Sequence, residues 1–251
     1  MGDQRVVGVA EQVLVPLVPR AELHLVHQPL RVLDPHPELE RLRTLATHFL
    51  DQKEFHGAQG MRITDPMALG IAAQAVLPLL HLEPGGSIAA ALAWYDDFVG
   101  IVVHPDEVRA RRVVQDDVGV VHHYDEVLTG EAMEGGPVML SWSDVAAAST
   151  TAAEGYNVVV HEFAHKLDMR DGVADGCPPL PSSAARRHWM QVLQSEYEHF
   201  REQVIVAERF GGEPTWLDPY GAENPGEFFA VASEAYLVNP HAFRARYDAL
   251  S

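Results

Sequence analysis

The sequence predicts an α+β chain, with helices at both ends and a mixed sheet between them. Three observations carry that expectation. Leu39, Leu42, Leu45, Phe49 and Leu50 recur at three- and four-residue spacing near the start. Phe98–His104 is a run rich in β-branched residues, closed by Pro105, as a buried strand would be. Two further helical patterns fill the last third, from Ser183 to about Phe210 and from Asn224 to about Leu237.

Along the chain, residues 1–35 read as a Pro-punctuated, partly extended arm, and residues 36–251 as one domain. The first helix is expected after Pro37 and through about Phe55, stopped by Gly57 and Gly60. Met61–Thr64 is expected as a short strand. Asp65-Pro66 has the form of an N-cap and first helical residue, opening an Ala- and Leu-rich buried helix from Met67 to Leu80. Glu83-Pro84-Gly85-Gly86 is a turn. After Phe98–His104, further strands are expected at Val118–Val121 and Val138–Trp142, separated by the turn Gly135-Gly136-Pro137. From Gly155 an apolar run enters a helix containing His161–Asp168, and Gly172, Gly176 and Pro178-Pro179 mark a loop. Trp189, Leu193, Tyr197 and Phe200 share one face of the long helix that follows, and Gly211-Gly212 ends it.

The formal net charge is −18, from 18 basic and 36 acidic residues. That balance argues against direct binding of nucleic acid, which needs cations to displace phosphate counterions, and against docking on anionic lipid. No secretory signal and no apolar stretch long enough to span a bilayer is evident. Cys177 is the single cysteine, so no internal disulfide can form, and a cytoplasmic location is expected.

The chemistry concentrates at His161-Glu162-Phe163-Ala164-His165. Residues four apart lie on one helix face, so the two imidazoles can bind one Zn2+, and Glu162 can approach a water there as general base. An imidazole pair and a carboxylate on a helix flanked by Val158-Val159-Val160 and Leu167 need a polar reason to be there. A catalytic zinc takes a third protein ligand and keeps one position open. Two carboxylates compete for that role. Asp171 stands six residues after His165, but the glycine that would turn the chain towards it is replaced by Asp168. Glu227, in Asn224-Pro225-Gly226-Glu227, would face the first helix from a second one, or would merely cap that helix, since its spacing from Asn224 is that of a capping box.

These blocks resemble the Mlc titration factor A family of bacterial zinc-dependent peptidases, of the gluzincin type. The resemblance rests on His161–Asp168, Asp171-Gly172, Asp175-Gly176 and Asn224–Glu234, with weaker matches at Phe49-Leu50, Ile71–Ala75 and Pro105–Glu107. Together they span most of residues 39–240, while residues 1–30 match poorly. The resemblance implies a zincin-like fold with a C-terminal helical part, similar to the catalytic domain of a bacterial lethal-factor toxin. It implies His161, His165 and Glu227 as zinc ligands and Glu162 as base. Tyr220, seven residues before Glu227, has the spacing of a tyrosine that faces the scissile carbonyl in such sites. The activity the resemblance implies is hydrolysis of a peptide or protein substrate, in an aminopeptidase-like form. The alternative function is binding, because relatives sequester a glucose-responsive transcription repressor of the Mlc type.

The remaining polar residues have simpler readings. His122-His123 would point to opposite faces of a strand. Asp168, Asp171 and Asp175 would order the loop after the active helix or hold a second cation. Glu234, two turns after Glu227, would support the site or be solvated. Val138–Trp142 would be either a core strand or the sheet edge on which substrate lies extended.

Overall fold

The computed structural model describes residues 37–82, 86–106, 108–115, 121–128, 130–133 and 135–250. The arm expected at residues 1–35, the Glu83–Gly85 part of the expected turn and most of the strand expected at Val118–Val121 lie outside them. In chain order the elements are α1 (Pro37–Gln52), β1 (Glu54–Gly57), α2 (Asp65–Ala75), α3 (Ile88–Leu92), β2 (Gly100–His104), β3 (Val108–Gln115), β4 (Val121–Leu128), β5 (Gly130–Ala132) and β6 (Val138–Ser141). They are followed by α4 (Trp142–Thr151), α5 (Val158–Asp168), α6 (Ser183–Phe210), α7 (Pro225–Val238) and α8 (Pro240–Arg244). The chain is α+β, with a small sheet among helices.

The main sheet has the order β1-β2-β6-β5. The first three strands are parallel, with Phe55 opposite Ile101 and Ile101 opposite Val138. β5 closes the sheet antiparallel to β6, pairing Gly130 with Leu140 and Ala132 with Val138. β6 therefore has a neighbour on each side, so of the two readings of Val138–Trp142 the interior strand holds and the edge does not: the edge beside it is β5, and Trp142 belongs to the helix that follows. β3 and β4 form a separate antiparallel hairpin.

Several boundaries also differ from the sequence reading. α1 ends at Gln52, and the strand lies at Glu54–Gly57 rather than at Met61–Thr64. Thr64, not Asp65, is the N-cap of α2, and that helix stops at Ala75 in favour of a series of turns. α4 follows β6 directly and had no counterpart in the sequence reading. α6 matches its expected span and ends at Gly211 in the left-handed conformation, with φ of 69°.

Two cores result. In the first, Leu45 and Phe49 of α1, Ile71 of α2, Ile101 and Val103 of β2, Leu140 of β6, and Val159 and Phe163 of α5 pack together. The alternate burial of Ile101 and Val103 is the period of two that a half-covered strand requires. Phe163 anchors α5 there, edge-on to Phe49, Tyr95 and Phe98. A fully buried side chain of that size contributes about 1.5–3 kcal/mol. In the second core, Leu193, Tyr197, Phe200 and Val204 of α6 meet Phe228, Val231 and Ala235 of α7, with Phe243 of α8. α5 and α7 lie against each other where the two cores meet.

Candidate metal centre

α5 begins at Asn157, whose side chain accepts the Val160 N–H at 3.0 Å. With Phe163 directed into the first core, His161 and His165 are left on the face towards α7. The α7 N-terminus is capped by Asn224, which accepts the Glu227 N–H at 3.0 Å, with Pro225 in the first turn. Asn224 supplies the cap, and the Glu227 carboxylate reaches across to α5.

The three side chains converge on one point. Glu227 Oε2 lies 3.2 Å from His161 Nε2 and 3.1 Å from His165 Nε2, and the two imidazole nitrogens stand 3.2 Å apart. Among the described residues this is the group of three whose ligand atoms cluster as a metal requires. Ligand atoms of a tetrahedral zinc with bonds of about 2.0–2.1 Å stand about 3.3–3.4 Å apart. The observed triangle is within a few tenths of an ångström of that face. Two nitrogen lone pairs and a carboxylate oxygen also repel one another at this distance unless a cation or a proton lies among them. Two imidazoles with one carboxylate are a suitable donor set for zinc.

The surroundings set the protonation states. Glu234 is buried on α7, and its Oε1 meets His161 Nδ1 at 3.3 Å while Oε2 accepts the Asn157 N–H at 2.8 Å. A proton held on Nδ1 would leave the Nε2 lone pair facing the convergence point. Asn157 in turn donates to Gln74 of α2 at 2.9 Å, so a buried polar chain links the first core to His161. Burial opposes protonation of His161, but contact with Glu227 and Glu234 outweighs it and holds the pKa well above the usual histidine value. Burial would raise Glu227, yet its hydrogen bonds to both histidines pull it down to about 2. Burial pushes Glu234 up and takes Glu162 to about 7. Glu162 is only 4% exposed and faces a cleft of about 620 Å³ that the triad also lines.

Tyr220 sits in a 3-10 turn, Pro219–Ala222, where Asp218 accepts its N–H at 2.9 Å. It lines the same cleft, with its ring 6.1 Å from that of His161. Asp171 and Asp175 instead pair with Arg186 of α6 at 2.9 and 2.7 Å, and Asp168 accepts the Gly176 N–H at 2.8 Å. These acidic residues order the loop after α5. Cys177 is buried, which raises its thiol pKa, the opposite of what a nucleophile needs. The side chains of His122 and His123 lie outside those described.

The sequence profile of the family described as "Glucose-regulated metallo-peptidase M90" matches residues 13–251. The chain belongs to this family. Its relatives include Mlc titration factor A of Edwardsiella ictaluri (strain 93-146), 36% identical over 214 residues, covering 85% of this chain and 77% of that protein. Proteins of the same name from Yersinia pestis (strain Pestoides F) and Yersinia pseudotuberculosis (serotype O:1b) are each 32% identical over 215 residues, covering 85% of this chain and 74% of theirs. The match to this metallo-peptidase family begins at residue 13, and so takes in part of the segment that the motif blocks leave out. Metallo-peptidase membership implies a bound metal. Among the described residues, no helix is long and apolar enough to cross a membrane.

Proposed function

We propose that this member of the Mlc titration factor A family is a zinc-dependent peptidase, with His161, His165 and Glu227 as the ligands and Glu162 as general base. The observation that carries the reading is the convergence of the three ligand atoms, at 3.1–3.2 Å, in a cleft that Glu162 also lines. The sheet, the helix bearing the His-Glu-x-x-His motif and the C-terminal helices fit a zincin-like domain over residues 36–251. When bound, zinc supplies a Lewis acid that polarises a carbonyl and acidifies a water.

The chain's own groups do the rest. Glu234 fixes the His161 ring through Nδ1. Glu162 lines the same cleft as the three converging atoms, where it can take a proton from the attacking water. As the new C–O bond forms and the C–N bond breaks, Glu162 passes that proton to the leaving amine. The Tyr220 phenol donates to the oxygen on which negative charge develops. The substrate is a peptide or protein, and an aminopeptidase-like preference is the form taken here. A cytoplasmic location suits the buried free thiol of Cys177.

A second reading is regulatory: binding of a transcription repressor of the Mlc type, with peptide hydrolysis secondary. The printed name of the relatives favours it. A complete His-Glu-His set favours retained chemistry, because binding alone requires no base.

Glu162→Gln tests the first reading. It should keep its metal and lose about 100- to 10,000-fold in kcat, the usual range for a lost general base. Tyr220→Phe should lose about tenfold in kcat, also with unchanged metal content. Near-normal turnover in Glu162→Gln, or loss of its metal, would overturn the assignment. Binding of a purified Mlc-type repressor by Glu162→Gln would show that the two activities separate.

A further inference from the structure

Among the described residues, no hydrogen bond orients the Glu162 side chain in the cleft. Its Oε2 is buried and has no partner among the described residues. What bounds the carboxylate is the backbone of β5. A Cβ placed on Gly130 would fall 2.6 Å from Glu162 Cγ and 2.7 Å from Cδ, and still closer to Oε1. No real Cβ tolerates such distances, so the side chain can lie where it does only because residue 130 has none.

β5 is held at that place by its neighbours. It pairs with β6 from Gly130 to Ala132. Just beyond it, Lys166 donates to the carbonyls of Met133 at 2.8 Å and Gly136 at 3.3 Å, and forms an ion pair with Asp97 at 2.9 Å. Lys166 is fully buried, and it stands four residues after Glu162, on the same face of α5. One face of the helix thus ties down the β5–β6 turn through Lys166 and rests Glu162 on β5 one turn earlier.

We propose that Gly130 is a positioning residue for Glu162, its bare backbone forming the wall that sets where the carboxylate stands relative to the three converging ligand atoms. The inference rests on Glu162 being the base. Misplacement of a reacting group by about 1 Å can cost about 100-fold in rate, so a wall that moves the carboxylate should act on kcat.

The experiment is a double-mutant cycle with two readouts. Glu162→Ala removes Cγ, Cδ and Oε1, the atoms that an added Cβ would meet. Gly130→Ala should therefore lower Tm in the wild-type background and lower it much less in the Glu162→Ala background. In the same Gly130→Ala protein, metal content should stay stoichiometric and KM within about twofold, while kcat falls by about tenfold to 100-fold. An equal Tm loss in both backgrounds would overturn the contact, and so would none in either. A Gly130→Ala kcat within about twofold of wild type overturns the positioning role. Wild-type turnover in Glu162→Gln would remove the reading of the base and this inference with it. Loss of turnover in Glu162→Gln beside an unaffected Gly130→Ala would remove this inference alone.

Discussion

The two helices that form the centre reach it by different routes. In α5, both histidines come from one turn, and the rise of the helix alone brings their rings to a centroid separation of 4.8 Å. In α7, Glu227 arrives from 62 positions downstream of His165, and no local rule places it. Its position depends on the second core holding Phe228 and Val231 against α6. It also depends on the loop after α5 closing over the α7 N-terminus, where a Cβ on Gly226 would meet the Ala174 carbonyl oxygen at 3.0 Å. The α5 pair is a property of a helix, whereas the third contact is a property of the assembled fold.

That contrast is sharpest in the metal itself. Glu227→Ala should lose zinc, or bind it so weakly that the purified protein is largely metal-free, while Asp171→Ala should stay fully loaded. Asp171 pairs with Arg186, and its removal costs only the small contribution of an exposed ion pair. Metal analysis of both folded variants decides it. Full occupancy in Glu227→Ala would mean that the contact across the two cores is not a ligand.

A smaller effect is expected one layer further out. Glu234 Oε2 accepts the Asn157 N–H, and Oε1 meets His161 Nδ1, from which it accepts when that nitrogen carries the proton. In Glu234→Gln one of those two donors must face an amide NH2, so either the ring or the start of α5 loses its partner. Metal affinity should fall by about 10- to 100-fold, the range found for partners of ligating histidines. Competition with a chelator measures it, and unchanged affinity would show that the helix alone orients His161.

The same contrast explains what could be read from the sequence. Features fixed within a few residues were legible: the His161/Glu162/His165 spacing, the span of α6 up to Gly211, and Asn224-Pro225 as the opening of α7. Features fixed by distant packing were not. β3 carries Arg109, Arg111 and Arg112 in place of a clean apolar alternation, so it gave no strand signal. The Ala-, Ser- and Thr-rich α4 offers little periodicity. Glu234 could be given a supporting or a solvated role, because only the neighbouring α5 shows that it is buried. Gly130 carried no signal at all, since its reason for being glycine is a side chain that follows it 32 positions later.

The smallest expected effect tests whether capping and metal contact at the start of α7 are separate. Asn224 Oδ1 accepts the Glu227 N–H, while the Glu227 carboxylate meets the histidines. The capping-box alternative gave the Glu227 side chain a structural role, in which case its loss would resemble loss of a cap. Asn224→Ala removes the cap alone. It should cost about 0.5–2 kcal/mol of stability, and for a domain of this size each kcal/mol lowers Tm by about 2–4 °C. Metal affinity should change by less than about tenfold, because the packing of Phe228 and Val231 still carries the first turn of α7 to α5. Thermal unfolding with and without chelator separates the two contributions, since bound metal adds stability that a chelator removes. If Asn224→Ala lost metal as completely as Glu227→Ala, the cap would be what places the carboxylate, and the third contact would depend on local structure as much as the histidine pair does.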